Sequence, residues 1–153
     1  MALSEEDSLL PAGVISNKIK AELGTDTVWG AISSLYKGGK PFIASLSRIV
    51  FDAYAEGDEA AIEIIDQNAK RLAELLNIGV QAHRALPKAV ASGGIFEHHT
   101  DIMLKHLAKY TDVEIVISTL PPIYGACRQA HKLIGECEPT EFLNNFKESY
   151  KGE

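Results

Sequence analysis

Apolar residues recur every three or four positions through the first half of the chain, the spacing of amphipathic helices. Leu9-Leu10-Pro11 opens the first such segment, and Gly24 closes it, because glycine readily adopts the left-handed conformation that ends a helix. Thr25-Asp26 can cap a second helix, which runs to Gly38-Gly39. The pattern therefore predicts at least two short helices before residue 40.

Pro41 suits the first turn of a third helix, where its missing N–H costs nothing. Gly57-Asp58 then interrupts the chain and caps a long helix, predicted over Asp58–Arg84. Its apolar stripe comprises Ala61, Ile64, Ile65, Ala69, Leu72, Leu75, Leu76, Gly79 and Val80, and Glu63, Asp66, Lys70 and Glu74 lie opposite. Because glycine costs about 1 kcal/mol relative to alanine inside a helix, we interpret Gly79 as a point of close packing.

The pattern changes after Pro87. A short run of small apolar residues and a later β-branched run predict two strands, each followed by a helix. Short connections of this kind imply a crossover between parallel neighbours. The predicted order is strand 88–91, helix from about Glu97, strand 113–118, helix 124–134 and a terminal helix 139–150.

This sheet is too small to stand alone. Two parallel strands expose two edges, and parallel strands are normally covered on both faces. The prediction is a largely helical α/β fold in which another polypeptide or a second copy completes the sheet. One domain spans residues 1–153, with a helical portion over 1–86, a β-α-β-α portion over 87–135 and a terminal helix and tail over 136–153.

Composition limits the classes of protein to which this chain can belong. The 153 residues carry 15 Lys and Arg against 21 Asp and Glu, a formal charge of −6, which disfavours a general nucleic-acid binder because phosphates require a basic face. The acidic start does not resemble a secretory signal, and no apolar run approaches the roughly 20 residues that span a bilayer. Two cysteines fit a reducing compartment. We therefore expect a cytoplasmic protein without membrane or nucleic-acid partners.

The stretch Lys88 to Phe96 contains the one motif with evident chemistry: a strand, then Ser92-Gly93-Gly94, then a helix start. Glycines at the carboxyl end of a parallel strand let the backbone approach a ligand, because no Cβ intervenes, and ligands favour that edge of an α/β sheet. Taken alone, the same three residues more often form only a tight turn than a ligand site.

The remaining candidate functional residues are more readily explained by structural roles. Ser92 lacks the Gly-x-Ser-x-Gly context of a hydrolase nucleophile. His99 and His106 are seven residues apart, whereas direct metal pairs usually lie four apart, so the histidine-rich turn is expected to be solvated. Cys127 and Cys137 are too few for an iron–sulfur cluster. Trp29, Tyr36 and Phe42 are predicted to lie in the core.

The order of the motifs along the chain resembles that of a known protein family. Gly57-Asp58 precedes a long helix, Val90-Ala91-Ser92-Gly93-Gly94-Ile95-Phe96 follows it, and Pro121 to Ala126 opens a helix after the next strand. From about Leu9 to Gly135 the chain resembles the C-terminal part of the BadF/BadG/BcrA-type ATPase family. Its N-acetylglucosamine-kinase-like members, within the actin, hexokinase and heat-shock-ATPase superfamily, are the most similar.

The resemblance implies a ribonuclease H-like C-terminal lobe of a two-lobed kinase that uses ATP and Mg²⁺ to phosphorylate an amino sugar. Ser92, Gly93 and Gly94 would then contact the adenosine or α-phosphate through backbone atoms. Gly125-Ala126 would let its helix pack closely on the sheet.

The sequence also lacks parts of that family's pattern. It contains no Asp-Gly-Gly-Thr-like phosphate loop and no second glycine-rich phosphate loop. Phosphoryl transfer requires metal-held phosphates and a positioned hydroxyl with a base, so we expect no catalytic residue, no metal ligand and no kinase activity in this chain alone. The expected partner is an N-terminal lobe or a second copy in a homo-oligomer. The alternative is a non-catalytic interaction or oligomerisation module derived from this fold.

Overall fold

The computed structural model describes residue 7, residues 13–135 and residues 141–150. The elements in these ranges are α1 Val14–Leu23, α2 Val28–Ser45, α3 Ser47–Ala55, α4 Glu59–His83, β1 Lys88–Ala91, α5 Gly94–His98, α6 Thr100–Leu107, β2 Glu114–Ile117, α7 Pro122–Leu133 and α8 Phe142–Ser149. The predicted largely helical α/β composition with a small parallel sheet is therefore confirmed. The predicted opening at Leu9–Pro11 and the first residues of the terminal helix lie outside the described residues.

Helix ends in the first half follow local chemistry, with one correction. Gly24 ends α1 in the left-handed conformation (φ 61°), as predicted. Asp58 caps α4, where its carboxylate accepts a hydrogen bond from the Ala61 N–H at 2.8 Å. The cap of α2 is Thr27, whose hydroxyl accepts from the Gly30 N–H, rather than the predicted Thr25 or Asp26. Gly39 (φ 61°) divides α2 into two helical pieces.

The core lies along α4, which packs against α3 on one side and α6 on the other. Its buried residues recur every four positions: Ala61, Ile65, Ala69 and Ala73. Alanines at the last two positions leave room for Leu107 of α6, whose side chain lies against them. Small residues on α4 and large residues on its neighbours thus form the central seam of the protein.

Four sequence interpretations are wrong. Trp29 and Tyr36 are exposed rather than in the core, and Leu75 of the predicted α4 stripe is exposed as well. A Cβ added at Gly79 would meet no atom within 4 Å, so that glycine is not a close-packing point. Leu75 and Gly79 lie where α4 extends beyond the helices that cover its first four turns. Trp29 and Tyr36 lie on α2 instead, so that cause does not apply to them.

β1 and β2 pair in parallel, with Lys88 opposite Glu114 and Ala91 opposite Ile117. Successive side chains alternate between the faces. One face turns towards α4, and on the other Val90 is 73% exposed while Lys88 and Glu114 form an ion pair at 2.8 Å. Among the described residues, the sheet has no third strand. Val90 is therefore uncovered on the outer face, and the completion of the sheet by another polypeptide or a second copy stays a prediction.

α7 and α8 form a helical hairpin held by aromatic side chains. Tyr124 and His131 of α7 lie against Phe142 of α8, with ring centroids 5.5 and 4.9 Å apart. Neither helix contains a buried residue. A Cβ added at Gly125 would meet no atom within 4 Å, so the prediction that Gly125-Ala126 packs closely on the sheet is wrong. Ring contacts rather than buried side chains therefore hold the two helices of the hairpin together.

Candidate functional site

The predicted Ser92-Gly93-Gly94 motif forms an open turn at the carboxyl end of β1. Gly93 has φ 104° and ψ 165°, a conformation that is essentially restricted to glycine. Gly94 begins α5, and a Cβ added at either glycine would meet no atom within 4 Å. The structure therefore brings the three predicted residues together with their backbone accessible, and their contact with a ligand stays a prediction.

Two apolar hollows flank this turn. One, of about 250 Å³, lies between α4 and the sheet and reaches Ser92, with Leu72 and Phe96 in its walls. The other, of about 230 Å³, lies between α3, α4 and α5 and reaches Ile95. Its walls combine apolar and polar side chains: Val50, Phe51, Ile64, Ile65, Met103, Ser47 and Asn68. Both volumes fall below the roughly 300–1,000 Å³ of a pocket that encloses a drug-sized ligand, so each could enclose only part of a nucleotide.

Contacts from α3 hold the segment that follows the turn. The His99 ring, between α5 and α6, stacks on Phe51 with centroids 3.7 Å apart and planes 4° apart. The Thr100 hydroxyl donates a hydrogen bond to the Phe96 carbonyl oxygen. These contacts fix the direction in which α5 leaves the turn, so the turn is mounted on the packed helices rather than on a free loop.

A polar network that the sequence did not reveal joins α3, α4 and α6. Asp66 contacts three groups: the Nδ1 of His106 at 2.7 Å, the Nζ of Lys109 at 2.5 Å and the hydroxyl of Tyr110, which donates to it. The Nε2 of His106 lies 3.3 Å from the hydroxyl of Tyr54. His106 is 2% exposed, so both of its ring nitrogens meet partners inside the protein.

The network shifts the pKa values of its members. Hydrogen bonds from Lys109, then Tyr110, then His106 hold the pKa of the Asp66 carboxyl well below its usual range. The hydrogen bond to Asp66 raises the pKa of Lys109 above its ordinary value despite the opposing effect of burial. The same carboxylate raises the pKa of the Tyr110 hydroxyl. The ionised carboxylate and the ammonium group are therefore the stable forms at neutral pH.

This network has the character of a structural clamp. The Asp66 carboxylate and the His106 ring bond to one another and to their neighbours. The sequence analysis assigned Asp66 to the solvent face of α4, and that assignment is wrong because α6 covers this part of the helix. No local signal could have revealed the pairing, since Asp66 and His106 are separated by 40 residues.

The other candidate residues are dispersed. His98 is exposed, whereas His99 and His106 take part in packing and in the network, so the expectation of a solvated histidine turn holds only for His98. Across residues 13–135 and 141–150, no three His, Cys, Asp or Glu side chains are grouped to hold a metal ion. Cys127 is a half-buried free thiol, and Cys137 lies outside the described residues.

The turn suits the adenosine portion of a nucleotide better than the triphosphate. It offers accessible backbone groups and apolar walls. The stretch 91–100 contains no Lys or Arg and includes the acidic Glu97, so it supplies no side-chain cation for phosphate charge. The described residues likewise offer no cluster for Mg²⁺.

None of the described helices combines the length and the apolar character needed to cross a membrane. Comparison with protein-family models and with curated protein sequences finds no match.

Proposed function

We propose that this chain is the adenosine-side, ribonuclease H-like C-terminal lobe of a cytoplasmic ATP-dependent sugar kinase of the N-acetylglucosamine-kinase-like type. The proposal places it in the BadF/BadG/BcrA-type ATPase family. A separate N-terminal lobe would supply the phosphate loops, the catalytic base and the amino-sugar site. The chain alone would have no kinase activity.

One observation carries the proposal: a parallel strand ends in a glycine that no other residue could replace without strain. Gly93 turns the chain sharply at the carboxyl end of β1, the edge at which α/β sheets bind ligands. Space beyond Gly93 and Gly94 is open. No side chain of the turn's two glycines would therefore stand between its backbone and a bound ligand.

The hollow between α3, α4 and α5 supports adenosine as the ligand. Ile95, the residue after the turn, forms one wall, so a base in the hollow and a ribose over the glycines would be adjacent. Ser47 and Asn68 place polar groups among apolar walls, as expected of a site that orients a ligand by a few hydrogen bonds. The Asn68 amide N–H₂ donates to the Ile64 carbonyl oxygen at 2.7 Å, which orients its amide.

In this role the chain binds the nucleotide and orients it. When bound, Mg²⁺-ATP supplies the phosphoryl group that is transferred to the sugar. The glycine turn holds the adenosine end, the Phe51–His99 stack keeps the turn in place, and the apolar hollow excludes water from the base. Transition-state charge would be stabilised by the other lobe.

Calorimetry on the chain mixed with an N-terminal-lobe polypeptide that carries an Asp-Gly-Gly loop tests the proposal. ADP with Mg²⁺ should bind the mixture. Gly94→Val should weaken that binding by at least about tenfold, equivalent to about 1.4 kcal/mol, because the side chain would project into the open space above the turn without requiring a positive φ. Absence of nucleotide binding to the mixture would contradict the proposal.

Gly79→Val is the matched control. Gly79 is also a helical glycine with open space at its Cβ position, but it lies in α4 away from the turn. Its substitution should leave nucleotide affinity unchanged. Equal losses in both variants would show that the Gly94 effect comes from altered folding rather than from an obstructed site.

A second candidate, a non-catalytic interaction module, is favoured by the uncovered outer face of the sheet. Val90 is exposed there, and each strand has an unpaired edge among the described residues. Light scattering on the isolated chain separates the candidates in part: a stable monomer at micromolar concentration would count strongly against the module.

A further inference from the structure

The hollow between α3, α4 and α5 has two polar side chains in its walls. Ser47 stands on the α3 wall and Asn68 on the α4 wall. Both belong to helices, so their positions do not depend on a loop. Asn68 is exposed, whereas Ile65 on the same wall is buried. A ligand in the hollow can therefore reach the Asn68 amide without a rearrangement of the helices.

One hydrogen bond fixes the orientation of the Asn68 amide. Its Nδ2 donates to the Ile64 carbonyl oxygen, one turn earlier in α4, at 2.7 Å. A carbonyl oxygen can only accept a hydrogen bond, so the nitrogen and not the oxygen of the amide must face it. The reverse orientation would bring two acceptors together and lose the bond. The groups that Asn68 can still offer to a ligand are therefore its amide oxygen, as an acceptor, and one N–H.

These two groups match one edge of adenine. An asparagine amide pairs with adenine by accepting a hydrogen bond from the N6 amino group and donating one to N7. Guanine carries an oxygen at position 6 beside the N7 acceptor, and hypoxanthine shares that arrangement. The Asn68 amide oxygen would then meet another acceptor. Turning the amide over to suit that oxygen would break the hydrogen bond to Ile64.

Ser47 cannot make the same distinction between bases. A hydroxyl donates or accepts according to its partner, so the Ser47 side chain can serve either an amino group or an oxygen on the base. The other side chains that line the hollow, among the described residues, are apolar. Discrimination between the two kinds of base therefore depends on Asn68.

We propose that Asn68 selects the base of the nucleotide, and that it favours adenine over a base with an oxygen at position 6. The inference rests on the proposed function, which places the base in this hollow. It adds the atoms that recognise the base. The Asn68 amide oxygen accepts from the N6 amino group, and the Ile64 carbonyl oxygen holds the amide in the orientation that allows this.

Calorimetric titration with ADP and with inosine diphosphate tests the selection, on the full chain mixed with the N-terminal-lobe polypeptide. The two ligands share ribose and phosphates and differ at position 6 of the base, together with the proton on N1. ADP should bind at least about tenfold more tightly, within the range of one good pair of hydrogen bonds to a base. Asn68→Leu keeps a side chain of similar size without its polar atoms, so it should remove that difference, chiefly by weakening ADP binding.

Gln67→Leu is the matched control. Gln67 is the neighbouring amide on α4, but it donates to the Glu63 carboxylate at 2.9 Å and is not among the residues that line the hollow. Its substitution should leave the ratio of the two affinities unchanged. The ratio is the decisive quantity, because a variant that only perturbs folding lowers both affinities by the same factor.

Three results would overturn the selection. Equal affinities of the wild-type mixture for the two diphosphates would refute it and leave the proposed function in place. An Asn68→Leu variant that loses affinity for both ligands by the same factor would show that Asn68 has a structural role only. A mixture that binds neither ligand would contradict the selection and the proposed function together.

Discussion

The body formed by α3, α4 and α6 and the hairpin formed by α7 and α8 are built from similar helical sequences, yet they differ in what holds them. The body places alanines of α4 against Leu107 of α6, which is 1% exposed. It adds the Asp66 network across the same seam. The hairpin has aromatic contacts and no buried residue.

The difference shows that amphipathic spacing does not determine burial. α4 and α7 each carry an apolar stripe at helical intervals. The first four turns of α4 are covered because α3 and α6 return across them. On α7, by contrast, the ring contacts with α8 leave Ile123 and Leu133 exposed. An apolar stripe indicates that a helix needs a partner, and the connectivity determines whether the same chain provides one.

Leu107→Ala gives the largest expected effect on this comparison. Removing a buried leucine side chain costs about 2–5 kcal/mol of unfolding free energy, and equilibrium urea denaturation measures it. Leu133→Ala is the matched substitution in the hairpin, where an exposed position should change the unfolding free energy of the monomer by no more than about 0.5 kcal/mol. Similar losses for both would mean that the hairpin is as firmly packed as the body.

Asp66→Asn should have the next largest effect, with a characteristic pH dependence. The pKa of Asp66 lies below its unfolded value because Lys109, Tyr110 and His106 stabilise the carboxylate. The stabilisation is therefore fully present above the unfolded pKa of about 3.9 and is lost as pH falls towards the lower folded value. The variant should be less stable than wild type at pH 7, and the difference should narrow below about pH 4.

Asp101→Asn provides the control for the size of that effect. Asp101 is exposed in the first turn of α6 and lies outside the network. At pH 7, thermal denaturation should show a smaller loss of stability for this variant than for Asp66→Asn. A difference between Asp66→Asn and wild type that stays constant from pH 3 to pH 8 would refute the assignment of the clamp.

Gly79→Ala should have the smallest effect on stability, and it should raise the stability that the preceding substitutions lower. A Cβ at this helical position meets no atom within 4 Å, so the substitution should stabilise the chain by up to about 1 kcal/mol through helix propensity. Gly24→Ala should destabilise it, because Gly24 has φ 61°, which alanine adopts only with strain. Thermal melting of the pair checks both signs. A loss of stability in Gly79→Ala would instead support the interpretation that Gly79 is a point of close packing.

The succession of elements could be predicted from the sequence because its signals are local. Glycine at a helix end, aspartate at a helix start and β-branched runs act within a few residues. The end of α1 and the bounds of α4, β1 and β2 were therefore predicted within a few residues of those observed. Trp29 and Tyr36 were wrongly assigned to the core, because exposure depends on whether a distant element reaches that face.

The candidate site likewise has one part that the sequence could predict and another that it could not. Ser92, Gly93 and Gly94 are contiguous, so the sequence could predict that they lie together at a strand end. The hollow beside Ile95 and the stack of His99 on Phe51 join α3 to segments some 50 residues away, and helical periodicity contains no information on which distant faces meet.

The sequence by itself determined the composition of elements, the glycine turn and the expectation that a two-stranded sheet is incomplete, because backbone conformation and hydrophobic periodicity are properties of neighbouring residues. Only the tertiary structure decided that Asp66 and His106 form one network, that the end of α4 is uncovered and that Ile123 and Leu133 of α7 are exposed. These outcomes depend on how the chain returns upon itself, which brings together residues separated by tens of positions and leaves others without a neighbour.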